Sequence, residues 1–466
     1  MNLLPIIQNS SVFKDQFSAW HTPEAPFLID LFQQIAVSGI NYAVLRNYDF
    51  LPYGLHGSDI DILFSEDSFA KAHMLLACLV KRHGGKIICQ LKAHRVKSLM
   101  LCGCGAEKRW WGVRIDSFTY VGTNGVEFLS AKSVISRCVK HNNIINVADF
   151  ADDAIIAFLK EVIGAGRVRR DYDKKAISVF LLHGRRYERN LIYYFGAKTY
   201  TKWLIPSLSG KYMPLKKLQM ALKVGWLKNM LLKHPAKVLR SRFLDFSLRL
   251  KRFFAPLGFS CAVIGTDGSG KSTIIEGIRP PLESALHTKL NYEHMRPNLL
   301  PSIACLFGRQ TEDGPVTNPH GSKASGFFGS FLRLSYYSLD YILGYWLKVY
   351  PAKVKRPCLY VFDRYFYDFI TDPARSRISL PKWLIKLFAI LIPTPDLILC
   401  LGADPAVIHA RKPELPLIEV ERQISELKKF CDSSPNAVWI DTAQSIEKSI
   451  DHALEAITDH MAARYE

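Results

Sequence analysis

The stretch FSCAVIGTDGSGKST (259–273) constrains this chain more than any other. Its first half, FSCAVIG, reads as a strand buried on both faces. Gly265, Gly270, Lys271 and Ser272 then fill G-x-x-x-x-G-K-[ST] in full, and a helical pattern follows. A strand that turns through glycines into a helix points several backbone N–H groups at one place, and the helix dipole adds positive charge there. Further apolar runs, CLYVFD (358–363), DLILCLG (396–402) and AVWID (437–441), alternate with helical stretches. That order predicts a doubly wound parallel sheet over 256–466.

The loop predicts a cradle made by Gly265, Asp267, Gly268, Ser269, Gly270, Lys271, Ser272 and Thr273. Lys271 is expected to reach β and γ phosphates, and the Ser272 hydroxyl to bind Mg²⁺. ATP and Mg²⁺ are therefore the expected cofactors. In VFDRYFYD (361–368), Asp363 closes an apolar strand, a place suited to a carboxylate beside Mg²⁺. Arg364 follows it, and a guanidinium there can clamp a phosphate bidentately. Arg411 and Lys412, before Pro413, read either as a lid over the transferring phosphoryl or as cations meeting a helix C-terminus. Arg375 and Arg377 in DPARSR are further anion clamps on the acceptor side. The catalytic set is thus Lys271, Asp363, Arg364 and Arg411.

Over about 200 residues this block resembles the thymidylate kinase family. The resemblance rests on the loop, Asp363-Arg364-Tyr365, PDLILCLGADPAVIHAR (395–411) and the final strand and helix. It implies γ-phosphoryl transfer from ATP. Three departures stand out: Ile264 replaces the family's acid before the loop, FYDFITDPARSR lacks the thymine-pocket residues, and the lid is short and Pro-rich. The patterns at Asp363–Asp368, Asp372–Arg377 and Arg411–Pro416 are similar to thymidylate-kinase-like proteins found with surface-polysaccharide genes. That implies a sugar, glycan or lipid-linked acceptor.

A second chemistry lies in LHGSDIDILF (55–64). In a strand, Asp59 and Asp61 share a face and can hold Mg²⁺; Asp116 in VRIDSF is the natural third ligand. Over about 100 residues, 1–145 resembles the DNA polymerase β-like nucleotidyltransferase superfamily, which implies a second NTP. The superfamily's Gly-Ser turn is replaced by Leu45-Arg46-Asn47, where Arg46 is the candidate triphosphate ligand. His94 and Arg95 lie between the acids and read either as substrate contacts or, as a lone histidine more often is, as structural residues outside the core site. A degenerate acceptor-binding or regulatory domain, or a turn with solvated acids, remain open.

Between them, 146–255 reads as a helical, basic middle. Residues 195–255 hold fourteen Lys or Arg against one acid, Asp245, a net +13 of the chain's +19. A solvated helical linker, an interfacial helix on anionic lipid and a nucleic-acid contact are the three readings, in that order. The whole is read as an α/β multidomain protein of 466 residues. MNLLPIIQNSS lacks the charge and apolar run of a signal peptide, and ten cysteines lack zinc spacing. A cytoplasmic enzyme is expected, with peripheral contact to the inner membrane face and a homodimer as open alternatives. No recognised nucleic-acid module is present. The rival functions are a nucleic-acid-directed nucleotidyltransferase with an ATP-sensing loop, an authentic nucleoside monophosphate kinase, and a membrane scaffold switched by nucleotide.

Overall fold

The computed structural model describes residues 22–93, 95–105, 108–211, 213–301 and 326–465. His94 and the N-terminal eleven residues read above fall outside them. The chain divides into two compact units, 1–251 and 252–466.

The first unit is built on a seven-stranded mixed sheet in the order β3-β4-β5-β2-β1-β9-β8. Its strands are β1 (Tyr42–Val44), β2 (Ile60–Phe64), β3 (Gly85–Ala93), β4 (Val96–Cys104), β5 (Trp110–Phe118), β8 (Val139–His141) and β9 (Ile145–Val147), and β6 (Val121–Thr123) and β7 (Val126–Leu129) form a separate antiparallel pair. Strand β2 shows how a period of two builds both faces. Ile60, Ile62 and Phe64 pack against α1 (Ala25–Val37) and α2 (Glu66–Arg82), whereas Leu63 joins a second core on the other face. Asp61 shares that second face with Leu63.

The second core is filled by α4 (Phe150–Ala165), α5 (Arg170–Phe195) and α6 (Leu215–Lys233), after the short α3 (Ala131–Ser136). Leu218, Leu222, Trp226 and Met230 of α6 recur at a spacing of four and are all buried. The middle stretch, set apart as 146–255 on composition, thus shares one core with the front sheet through these helices. Its last helix, α7 (Pro235–Phe254), differs, since Val238 is its one buried residue.

The second unit is a five-stranded sheet in the order β11-β12-β10-β13-β14, parallel throughout. Strand β10 (Phe259–Gly265) lies at the centre, between β12 (Leu359–Asp363) and β13 (Leu397–Gly402); β11 (Asn291–His294) and β14 (Ala437–Asp441) are the edges. Helices α8 (Lys271–Leu286), α9 (Phe327–Gly344), α10 (Asp368–Thr371), α11 (Lys382–Leu391), α12 (Pro405–Arg411), α13 (Leu417–Ser433) and α14 (Ile446–Ala462) complete it. The chain leaves β10 first toward β12 and later toward β13, so a crevice opens at the carboxyl end of β10, where such sheets take ligands. Among the described residues no helix is long and apolar enough to cross a membrane.

Candidate active sites

At the carboxyl end of β10 the loop 266–270 turns the chain into α8. Gly268 and Gly270 adopt φ of +83° and +85°, left-handed values that suit glycine. A Cβ on Gly268 would also meet Lys412 Cβ at 3.1 Å and the Ile408 carbonyl at 3.2 Å. Gly270 caps α8, so the free amides of the first turn face the loop mouth. The buried hydroxyls of Thr266 and Ser269 have no partner among the described residues. Orphaned polar atoms inside an amide-lined loop fit an anionic ligand.

Lys271 is buried, and its Nζ donates to the carbonyls of Gly265 at 3.0 Å and Thr266 at 2.9 Å. Burial, then the nearby Arg364 charge, pushes it down to about 7. Asp267 Oδ1 stands 3.9 Å from that nitrogen and is also bound by Arg364, while its other oxygen is bound by Arg375. Burial would raise the Asp267 carboxyl, but the cations Arg364, Lys271 and Arg375 hold it near 2. Arg364 itself sits at φ +74°, a costly backbone for a long side chain, and turns its buried guanidinium onto Asp267 and onto Asp368 at 2.7 Å.

Asp363 lies in register with Val263 on the neighbouring strand. Its Oδ2 accepts from the Tyr292 hydroxyl at 2.9 Å and stands 3.6 Å from His294 Nδ1. Burial pushes this carboxyl up, but His294, Tyr292 and the Lys271 charge outweigh burial and hold it below the usual range. Its Oδ1 is buried with no partner among the described residues. That orphaned oxygen, close to the Lys271 charge, and the exposed Ser272 form a donor set that fits Mg²⁺.

Two cavities meet the loop. One, of about 420 Å³, is lined by Gly268, Gly270, Ser272, Thr273, Arg411, Thr442 and Gln444. Arg411 is fixed there by a bond from its Nη2 to the Thr442 carbonyl at 2.9 Å. The other, tighter, cavity lies on the far side of the loop and takes in Asp267, Arg364, Asp368, Thr371, Asp372, Arg375 and Gln423. Of the remaining acceptor-side cations, Lys412 pairs with Glu414 at 3.2 Å, and Arg377 lines neither cavity. Tyr292, His294 and Gln423 were not singled out in the sequence, and Asp368 and Asp372 entered only as the bounds of patterns, with no role. Only Asp368 had a local signal, four residues after Arg364.

In the first unit Asp61 and Asp116 are direct partners across the parallel pair β2–β5. With half-buried Asp59, they place carboxylate oxygens within 4.8 Å of one another, a donor set that fits a divalent ion. Cations crowd the same carboxylates. Lys160 of α4 reaches Asp61 at 3.0 Å, Arg46 pairs with it too, and Arg114 binds both oxygens of Asp116 at 2.9 and 3.0 Å. Burial would raise Asp61, but Lys160 and Arg46 bring it down to about 2. Arg95 lies away from this group, on Glu127 and the Thr119 carbonyl.

No protein-family model matches the chain, and no curated protein matches it. Among solved structures the chain is similar to a thymidylate kinase from Ehrlichia chaffeensis, at 13% identity over 42% of this chain and 97% of that chain, with a TM-score of 0.30.

Proposed function

We propose that the second unit is an ATP-dependent phosphotransferase whose acceptor is a hydroxyl of a sugar, glycan or lipid-linked molecule rather than thymidylate. The observation that carries this is the tight cavity beside the loop. It holds three carboxylates, Asp267, Asp368 and Asp372, against two arginines. Arg364 binds Asp267 and Asp368, and Arg375 binds Asp267. A dianionic acceptor phosphate would have to strip carboxylates from both arginines, whereas a polyhydroxylated acceptor can donate to the carboxylates as they stand.

In this reading the amides of 266–271 and Lys271 hold the β and γ phosphates. Ser272 and Asp363 would hold Mg²⁺, which shields phosphate charge when bound. Asp267, ionised and beside the Lys271 nitrogen, orients the attacking hydroxyl by accepting its hydrogen bond. The acceptor oxygen forms a bond to the γ phosphorus and releases its proton past the Asp267 carboxylate to solvent, the bond to the β–γ bridging oxygen breaks, and ADP leaves. Arg411 closes the nucleotide side. The test is ADP release with a panel of free sugars, sugar phosphates, lipid-linked glycans and nucleoside monophosphates. Turnover is expected on neutral hydroxyl acceptors; turnover on thymidylate would overturn the reading.

For the first unit we infer nucleotidyl transfer, supported by the three clustered acids. Asp59, Asp61 and Asp116 would hold Mg²⁺, while Arg46 and Lys160 are the cations within reach of a triphosphate. Asp59→Ala/Asp61→Ala is expected to lower NTP-dependent pyrophosphate release by at least about 100-fold while ADP formation by the second unit persists. Equal pyrophosphate release by wild type and double variant would leave the cluster with the structural or regulatory role.

A further inference from the structure

We propose that helix α7 is an interfacial helix that docks the protein on an anionic lipid bilayer. This goes beyond the phosphotransfer reading and does not depend on it. Leu239, Phe243, Phe246 and Leu250 recur at spacings of four, three and four, which puts them within an arc of about 60° on one helix face. They are 63%, 70%, 64% and 51% exposed. Scattered exposed apolar residues are ordinary, but four large ones in a single stripe are not. The neighbouring α6, equally basic in sequence, directs its own stripe of Leu218, Leu222, Trp226 and Met230 into the core. The exposed stripe of α7 therefore has no partner among the described residues of the unit.

Charge identifies the occupant. The helical period sets Arg242 and Arg249 along one edge of the stripe and Arg240 and Lys251 along the other. All four are exposed. The helix's sole acid, Asp245, is turned away from the stripe, with a carboxylate oxygen 3.7 Å from where a Cβ on Gly125 would stand. An apolar face framed by cations matches acyl chains framed by anionic head groups. A nucleic acid would use the cations but leave the aromatic stripe in water, so the bilayer satisfies more of the surface.

The experiment is sedimentation of the full chain with vesicles of phosphatidylcholine alone or mixed with phosphatidylglycerol. Wild type is expected to bind the anionic vesicles at least about tenfold more tightly, with affinity falling as salt rises. Phe243→Ser/Phe246→Ser should lower that binding about tenfold or more, and Arg240→Glu/Arg249→Glu should do the same. Both variants should keep wild-type thermal unfolding and ATP binding without vesicles, which separates lost docking from lost folding. Three results would overturn the proposal: no vesicle binding by wild type, unchanged binding by the apolar variant, or a wild-type dimer that the apolar variant dissociates. The last would assign the stripe to a second copy of the chain.

Discussion

Lys271→Ala is expected to lower kcat for ADP formation by about 10³-fold, or about 4 kcal/mol in the barrier. The nitrogen is buried against its own loop carbonyls. A buried cation is costly until an anion arrives, and the γ-phosphoryl brings charge that spreads over its oxygens in the transition state. Alanine removes that stabilisation and leaves the amides, so residual ATP binding should survive better than turnover. Loss of KM alone, with kcat intact, would mean the lysine acts only in binding.

The same burial gives the site a pH signature. Without nucleotide Lys271 titrates near 7, against 10.5 for an ordinary lysine. A bound triphosphate restores the charge, so ATP binding takes up a proton above pH 7. Affinity should then fall by up to about tenfold per pH unit between pH 7.5 and 8.5, and Lys271→Arg should abolish this slope. For folding the sign follows from the unfolded chain. It holds the lysine proton up to the ordinary value, so it binds more protons between 7 and 10.5, and stability rises with pH across that window. Calorimetric titration in buffers of different ionisation heat measures the proton uptake; zero uptake at pH 8 would refute it.

Local spacing explains why so much of this site could be read early. The loop is a covalent pattern, and Asp363 closes, and Arg364 follows, an apolar strand that is visible as a continuous run in the sequence. The pairing of Arg364 and Arg375 on Asp267 was not legible, because it joins residues about a hundred positions apart. Lys160 is hidden in the same way, 99 positions from the Asp61 it neutralises. Arg114 could have been found, since it shares a strand face with Asp116 two residues on.

Elements failed where sequence gave mixed signals. The apolar, β-rich run NYAVLRNY (41–48) is long enough for one strand, yet only Tyr42–Val44 forms it, and Asn47 at φ +55° turns the chain out of the extended course. That break leaves Arg46 outside the ladder and free to meet Asp61. The hairpin β3–β4 was missed because lysines and glycines interrupt its apolar alternation. Within 195–255 one charge run contains helices of opposite character: α6 hides its apolar face and α7 displays it. Charge counts are blind to that difference, which depends on which face meets α4 and α5.

Asp152→Ala is expected to cost the first unit about 3–5 kcal/mol, enough to unfold a marginal domain. Asp152 is fully buried in the first turn of α4. It accepts from Arg137 Nε at 3.1 Å and Nη2 at 2.9 Å, and from the Tyr187 hydroxyl at 3.0 Å. Tyr187 belongs to α5, and Arg137 follows α3, so one carboxylate ties three segments together. Burial and the adjacent Asp152 push the Tyr187 phenol far above its ordinary range, which keeps it a donor at all working pH. Alanine would leave that hydroxyl buried and the guanidinium without its counter-charge. Asp152→Asn keeps the shape but loses the charge and one acceptor, so about 1–3 kcal/mol is expected. Urea unfolding followed by circular dichroism measures both, with ATP binding at the loop as the control for the second unit. A wild-type midpoint for Asp152→Ala would mean that α4 and α5 contribute little to the front fold.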